Sequence, residues 1–205
     1  MVTDNVKKFW EEVSLGRRWR DYILPNRTAE QFWEEGQREA EHISLHIEDA
    51  SFVIDYGCGI GRITFPMQKY CKNIFGLDVC ENYINIGNLC QPQNKILMLR
   101  SDFKHKNIAS FVYSISVLQH NNLQNRIAIM QDIYNLLRPG AMCWINFPVK
   151  GEIYRETNFV HTFTPDEVME LASKFSIVRI YKGNLVGYAD RKPVTNNEIF
   201  LLAIK

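Results

Sequence analysis

The sequence predicts an α/β fold: a doubly wound, seven-stranded, mostly parallel sheet with an antiparallel last strand, helices on both faces and an N-terminal helical lid. From Ser51 onward, short apolar runs alternate with helix-like runs, which is typical of a parallel sheet joined by right-handed crossovers. The chain then ends in two strand-like runs with no helix between them, as expected for antiparallel strands. Before Ser51 the patterns are helical.

Start and stop signals define three of the predicted helices. Thr28 begins a capping box ahead of a helix expected over 29–47. A second helix is expected over Leu123–Leu137, ended by the Arg-Pro-Gly turn at 138–140. A third starts at the N-cap Thr164, followed by Pro and then Glu at the third position, and runs to about Phe175.

The predicted strands are short apolar runs bounded by acids, glycines or polar turns. They span Ser51–Asp55, Asn73–Asp78, Lys95–Arg100, Ser110–Ser116, Ala141–Phe147, Ser176–Lys182 and Glu198–Ile204.

Length and composition indicate one compact domain, with residues 1–50 as a cap and 51–205 as the main body. Lys plus Arg total 24 and Asp plus Glu 23, so the balance argues against a polyanion as the main partner. The five cysteines form no C-x-x-C pair, which argues against a disulfide framework or a zinc ribbon. Residues 1–20 have neither signal-peptide nor transmembrane character, so we expect a cytoplasmic protein without membrane association.

Three alternating glycines follow the first predicted strand. Gly57, Gly59 and Gly61 stand between that strand and a helix, where they allow a tight turn and a close approach of the backbone to a ligand. Asp78 ends the next strand, where an acid can accept hydrogen bonds from both hydroxyls of a ribose. The pattern therefore predicts a nucleoside-binding loop.

Two common nucleotide motifs do not fit this loop. A dinucleotide-binding loop requires a glycine where this chain has Arg62, and a P-loop requires a Gly-Lys-Ser/Thr sequence that the loop lacks. Asp55, two residues before the first glycine, favours a ligand that presents a cation over one that presents a pyrophosphate. S-adenosylmethionine carries an ammonium and a sulfonium, and it meets that requirement.

From about Phe52 to the C-terminus the chain resembles the class I S-adenosylmethionine-dependent methyltransferases. The two antiparallel strands at the end also resemble that family, whose seventh strand is inserted beside the fifth. One such motif alone would be a weak signal, whereas five in the right order are specific. The matching segments are 53–61, 76–79, 101–103, 116–120 and 136–140.

The resemblance implies roles for individual residues. The glycine loop would hold the methionine part of the cofactor, Asp78 the ribose, and Val79 would lie against the adenine. Asp102 would accept a hydrogen bond from the adenine amino group while Phe103 flanks the ring. The implied cofactor-binding residues are Asp55, Tyr56, Gly57, Cys58, Gly59, Gly61, Asp78, Val79, Asp102, Phe103, Ser116 and Val117.

Histidines are the candidates for acid–base chemistry. His120, after the fourth strand, could accept a proton from an acceptor hydroxyl or amine, and His161 is a second candidate in a loop expected near the acceptor. Either could instead only pack and orient its loop, because positioning alone can drive such a reaction. His42 and His46 have a metal-capable spacing but no evident third ligand, so we expect an exposed helical face and no metal.

The sequence favours a small-molecule acceptor methylated on O or N. Residues 114–117 lack the Asn/Asp-Pro-Pro-aromatic signature of enzymes that methylate exocyclic base amines, and no cysteine occupies a clear nucleophile position. Two alternatives stay open: an RNA or protein methyltransferase that docks through the basic run at 17–20, and a non-catalytic cofactor-binding partner subunit. The early aromatic residues are expected to form a lid: Trp10, Trp19, Phe32 and Trp33.

Overall fold

The computed structural model describes residues 4–16, 27–93, 95–149, 160–183 and 198–205. Seven strands form one sheet: β1 Val53–Tyr56, β2 Ile74–Asp78, β3 Leu97–Leu99, β4 Ala109–Ser114, β5 Leu137–Pro148, β6 Ile177–Gly183 and β7 Glu198–Ile204. Their order is β3-β2-β1-β4-β5-β7-β6, and β7 is antiparallel to both of its neighbours. The predicted sheet, including its antiparallel last strand, is confirmed.

Helices cover both faces of the sheet. They are α1 Asp4–Leu15, α2 Ala29–Ser44, α3 Thr64–Met67, α4 Glu81–Cys90, α5 Leu123–Leu136 and α6 Pro165–Leu171. The α2, α3 and α4 helices pack on one face, while α5 and α6 pack on the other. Thr28 and Thr164 each form the predicted capping box. No helix in the described ranges is both long and apolar enough to cross a bilayer.

The crevice of such a sheet is set by its strand order. β1 pairs with β2 on one side and with β4 on the other, so the chain leaves β1 and β4 in opposite directions. Ligands of open α/β sheets bind where this reversal occurs, outside the carboxyl ends of the strands. The glycine loop, Asp78 and the segment after β4 all lie at that edge.

The start of β5 differs from the prediction. Leu137 already pairs with Ala109, and the next pair joins Met142 to Phe111, so the register shifts between them. The segment 138–140, expected as a turn before the strand, is therefore a bulge within it. Gly140 has φ of +78°, a conformation that suits a bulge and that glycine adopts without strain.

The expectation of an exposed face at His42 and His46 is wrong. Both side chains are half-buried, because the end of α2 lies over the sheet. The His46 ring stacks on Trp144 of β5 with 3.9 Å between ring centroids, and the His42 ring meets it edge-on. Burial lowers the pKa of both histidines. Among the residues described, no group of three or more His, Cys, Asp or Glu is arranged to hold a metal.

Candidate active site

The glycine loop has a backbone that other residues rarely adopt. Gly57, Gly59 and Gly61 have φ of +83°, +55° and +85°. A Cβ on Gly57 would lie 2.2 Å from Cγ2 of Val117, so this glycine also lets the turn after β4 pack directly onto the loop. The loop therefore presents backbone groups, with no side chain at these three positions.

Asp55 lies beneath the loop. Its side chain is 3% exposed, and its carboxylate accepts a hydrogen bond of 2.6 Å from the Thr64 hydroxyl at the start of α3. The Tyr113 phenol lies close to the same carboxylate, outside hydrogen-bonding geometry. Burial, reinforced by the negative charge of Asp78, raises the pKa of Asp55 to about 7. Within the protein, Asp55 joins the strand to the helix that follows the loop.

Tyr56 and Cys58 also direct their side chains into the protein. Tyr56 is 6% exposed, and its hydroxyl donates to Asp132 of α5 at 2.9 Å. The Cys58 side chain packs over Gly76 of β2, where a Cβ would lie 2.9 Å from the sulfur. At both positions the group that can face a ligand is the backbone.

Asp78 joins the end of β2 to the glycine loop. One carboxylate oxygen accepts from the Gly59 N–H at 2.8 Å and the other from the Cys80 N–H at 2.9 Å. Burial raises the pKa of Asp78, although these backbone hydrogen bonds oppose the shift. A carboxylate has about four acceptor positions, so this one retains capacity to accept from a ribose hydroxyl. Val79, the next residue, is half-buried beside it.

The segment after β3 is held by charges that the sequence analysis did not single out. Arg100 forms an ion pair with Asp132 and donates to the Phe103 carbonyl at 2.6 Å. The Phe103 ring is 4% exposed and packs against Phe75, whereas Asp102 is exposed. The Asp102 side chain is therefore accessible to a ligand, whereas the Phe103 side chain lies in the hydrophobic core.

The turn after β4 carries Ser116, Val117 and His120. Ser116 has φ of +59°, and its N–H donates to the Oδ1 of Asn146 on β5 at 2.6 Å. Leu118–His120 form a single 3-10 turn. His120 is half-buried, and the Trp10 ring meets its imidazole edge-on with 5.3 Å between centroids.

Helix α1 reaches across this edge of the sheet, in the position expected of a lid. Trp10 contacts His120 and Tyr83, and the Glu11 carboxylate accepts from the Glu81 N–H at 2.7 Å, which caps α4. Glu11 was missed because a cap from a distant helix leaves no local signal. Of the other predicted lid residues, Phe32 is buried, Trp33 is 36% exposed, and Trp19 is outside the described residues.

His161 lies next to the turn that carries His120. Its backbone N–H donates to the Gln119 carbonyl at 2.9 Å, which brings the two candidate histidines to one side of the crevice. The His161 Nε2 lies 3.2 Å from a carboxylate oxygen of Glu167, the capping-box acid of α6. That carboxylate orients the His161 ring. The capping pattern in the sequence identifies Glu167 as part of a helix start and does not indicate this contact.

A buried ion pair fixes α2 to the glycine loop. Arg62 donates to Glu39 at 2.7 Å, and both side chains are almost fully buried. Gly36 brings the helix backbone so close to Arg62 that a Cβ would lie 2.3 Å from the Arg62 carbonyl oxygen. Arg62, which excluded a dinucleotide motif, is therefore a structural support of the loop.

Comparison with known proteins agrees with this arrangement. A family model described as a methyltransferase domain matches residues 54–145, which include the loop, Asp78 and the turn after β4. The match covers 92 of the 205 residues, so this part of the chain is similar to a methyltransferase domain. Within that family, the glycine loop and Asp78 correspond to the first and second motifs on which the resemblance rests.

Curated relatives match about half of the chain. A phosphoethanolamine N-methyltransferase of Plasmodium falciparum is 29% identical over 101 residues, which cover 46% of this chain and 38% of that protein. Phosphoethanolamine N-methyltransferase 1 of Triticum aestivum is 25% identical over 109 residues, 50% of this chain and 22% of that protein. The chain thus spans well under half the length of these relatives.

Solved structures share the fold over nearly the whole chain. A magnesium protoporphyrin IX methyltransferase from Synechocystis, solved with S-adenosylhomocysteine, superposes with a TM-score of 0.71 at 14% identity, covering 98% of both chains. Phosphoethanolamine N-methyltransferase 1 of Haemonchus contortus gives 0.73 at 14% identity, covering 98% of this chain and 48% of that one. At identities this low, the likeness shows a shared fold and no more than that.

Proposed function

We propose that this methyltransferase binds S-adenosylmethionine and transfers its methyl group to an O or N atom of a small-molecule acceptor. The observation that carries the proposal is the Asp78 carboxylate, held by the Gly59 N–H at the end of β2. It sets an acceptor for ribose hydroxyls against a loop that exposes only backbone. When bound, the cofactor supplies a sulfonium methyl that an acceptor lone pair can attack.

The chain's own residues would act mainly by positioning. Asp78 and the glycine loop orient the nucleoside and methionine parts, and α1 excludes water through the contacts of Trp10 and Glu11. His120 would accept the proton that the acceptor loses, since a neutral imidazole accepts protons near neutral pH. The contact between Trp10 and the imidazole restricts how the ring can turn.

The acceptor proposed first is a small primary amine. Both curated relatives are named as phosphoethanolamine N-methyltransferases, and the turn with His120 lies inside the range that the family model matches. A primary amine is protonated near neutral pH and must lose one proton to free the lone pair that attacks the methyl group, which gives a general base a role.

Methyl transfer is tested with S-adenosylmethionine labelled in its methyl group and a panel of small acceptors. The panel contains phosphoethanolamine, ethanolamine, other primary amines, and hydroxyl compounds of similar size. We expect label in an amine product and formation of S-adenosylhomocysteine. Transfer to the hydroxyl compounds alone would replace the amine with an O-acceptor, and cofactor binding without transfer to any compound would favour the non-catalytic alternative.

The remaining alternative is methylation of RNA or protein. The basic run at 17–20 that would support RNA docking is outside the described residues. Binding to RNA that weakens steeply with salt would support that alternative, whereas we expect none. We also propose a cytoplasmic location, which fractionation of the tagged protein would test.

A further inference from the structure

The turn after β4 begins with a residue in an unusual conformation. Ser116 has φ of +59°, in the left-handed region that serine rarely adopts. Its N–H donates to the Oδ1 of Asn146, 30 residues further along the chain, at 2.6 Å. Asn146 lies on the neighbouring strand β5 and is 1% exposed. A side chain from the next strand therefore holds the turn in place.

The side-chain amide of Asn146 uses only one of its two polar atoms. Only its oxygen can accept from the Ser116 N–H, which fixes the orientation of the amide and directs Nδ2 elsewhere. That Nδ2 is buried and has no hydrogen-bond partner among the described residues. A buried donor without a partner destabilises the folded state. An apolar residue would avoid this penalty but would leave the Ser116 N–H without its acceptor, so the amide serves the turn at Ser116.

The turn positions one residue against the glycine loop and another on the other side of the crevice. Val117, the next residue, packs onto the glycine loop so closely that its Cγ2 lies 2.2 Å from where a Gly57 Cβ would be. The His120 N–H donates back to the Val117 carbonyl at 3.3 Å, so the same short turn sets the position of His120. A change of backbone at Ser116 would displace both residues.

We propose that Asn146 is a positioning residue, which holds Ser116 in its left-handed conformation and so fixes Val117 against the loop and His120 beside the acceptor. The effect on ligand binding rests on the proposed function. The effect on the turn itself does not, because it can be measured without a ligand.

The main test variant is Asn146→Val, which suits a buried strand and removes the amide. Hydrogen exchange at the Ser116 amide should accelerate at least about tenfold, because its acceptor is lost. S-adenosylhomocysteine should bind roughly 5- to 10-fold more weakly, a typical loss for one hydrogen bond. Asn146→Asp keeps an acceptor oxygen and should keep slow exchange at Ser116. If the valine variant does not fold, Asn146→Ala is measured with the same expectations for exchange and affinity.

A matched control is Asn73→Val. Asn73 donates to the Ser51 carbonyl at 2.9 Å, at the amino-terminal ends of β1 and β2 and away from the crevice. Its loss should therefore leave both the exchange at Ser116 and the affinity for S-adenosylhomocysteine unchanged. A second substitution tests the mechanism: glycine adopts positive φ without strain, so in a Ser116→Gly background the loss caused by Asn146→Val should shrink to less than about twofold.

Two results would overturn the positioning role. One is unchanged exchange at Ser116 in Asn146→Val, and the other is an equal loss of affinity whether Asn146→Val is made in the parent or in the Ser116→Gly background. If the parent protein fails to bind S-adenosylhomocysteine, the proposed function is contradicted, and the exchange measurement still decides the role of Asn146.

Discussion

The half of the crevice at β1 and β2 is built from backbone, whereas the half beyond β4 is built from side chains that come from distant parts of the chain. In the first, here the cofactor half (residues 55–61 and 78–79), one carboxylate and three glycines define the surface. In the second, which is proposed to receive the acceptor and is here called the acceptor half (Trp10, residues 116–120 and His161), three separate segments meet. The cofactor half is therefore specified locally, and the acceptor half depends on tertiary contacts.

The largest effect is expected from Gly59→Val in the cofactor half. Valine does not tolerate φ of +55°, and its side chain would stand where the ligand approaches the backbone. We expect no measurable binding of S-adenosylhomocysteine by calorimetry. Gly140→Val is the matched control, because Gly140 has φ of +78° at the opposite edge of the sheet. The control should lose stability and keep the affinity, and an equal loss in both variants would mean that strain alone is responsible.

The next largest effect concerns His120 in the acceptor half. If His120 is a general base, His120→Ala should lower turnover by roughly 100- to 10,000-fold and leave the affinity for S-adenosylhomocysteine nearly unchanged. Turnover of the parent enzyme should fall at acid pH, where a protonated imidazole cannot accept a proton. His42→Ala, at a half-buried histidine that packs on Trp144, serves as control. Near-normal turnover of folded His120→Ala would leave positioning as the source of catalysis.

Asp78→Ala should weaken cofactor binding by about 1.5–3 kcal/mol, the range for hydrogen bonds to a charged group. Asp78→Asn keeps one oxygen and should lose less. The control is Asp49→Ala, which removes a carboxylate that accepts the Ser51 N–H at 2.9 Å, away from the crevice. An unchanged dissociation constant in Asp78→Ala would show that the ribose is bound elsewhere.

The smallest effect is on stability, through Asp55. Its pKa of about 7 lies above its ordinary value, so the folded state binds the proton more tightly than the unfolded state does. The stability this contributes is fully present below the pKa of the unfolded state and is lost as pH rises to and through 7. Between pH 5.5 and 8.5 the parent should lose about 2 kcal/mol relative to Asp55→Asn, which keeps an acceptor for Thr64.

Denaturant unfolding at the two pH values measures this difference. Asp49→Asn is the control, since the pKa of Asp49 is lowered, by hydrogen bonds from Ser51, and its titration lies below that range. A constant difference between the parent and Asp55→Asn would show that Asp55 is ionised in the folded protein throughout.

The sequence predicted what is encoded within a few residues. The helix caps at Thr28 and Thr164, the glycine loop, and the alternation of strands and helices follow from short patterns, and the structure contains all of them. The position of the last strand beside the fifth was implied by the family resemblance, and the structure has it there. The features that the sequence did not predict depend on the register between strands or on contacts between residues far apart in the chain. The bulge in β5 is set by pairing with β4, and the stack of His46 on Trp144 joins residues far apart in the chain.

The same distinction holds within the candidate site. Asp78 was found because an acid at a strand end is a local signal, although its hydrogen bond to Gly59 was not. Three side chains that stabilise the site were not predicted. Glu11 caps α4, Glu39 forms an ion pair with Arg62, and Asn146 accepts a hydrogen bond from Ser116. Each joins two elements through one side chain, so no spacing in the sequence identifies the pair.

Calorimetric titration of the parent protein shows whether the crevice accepts an S-adenosyl ligand. S-adenosylhomocysteine and NAD are titrated separately under the same conditions. The glycine loop with Asp55 beneath it and Asp78 beside it predicts that S-adenosylhomocysteine binds and that NAD does not. Binding of NAD without binding of S-adenosylhomocysteine would mean that the crevice is a dinucleotide site.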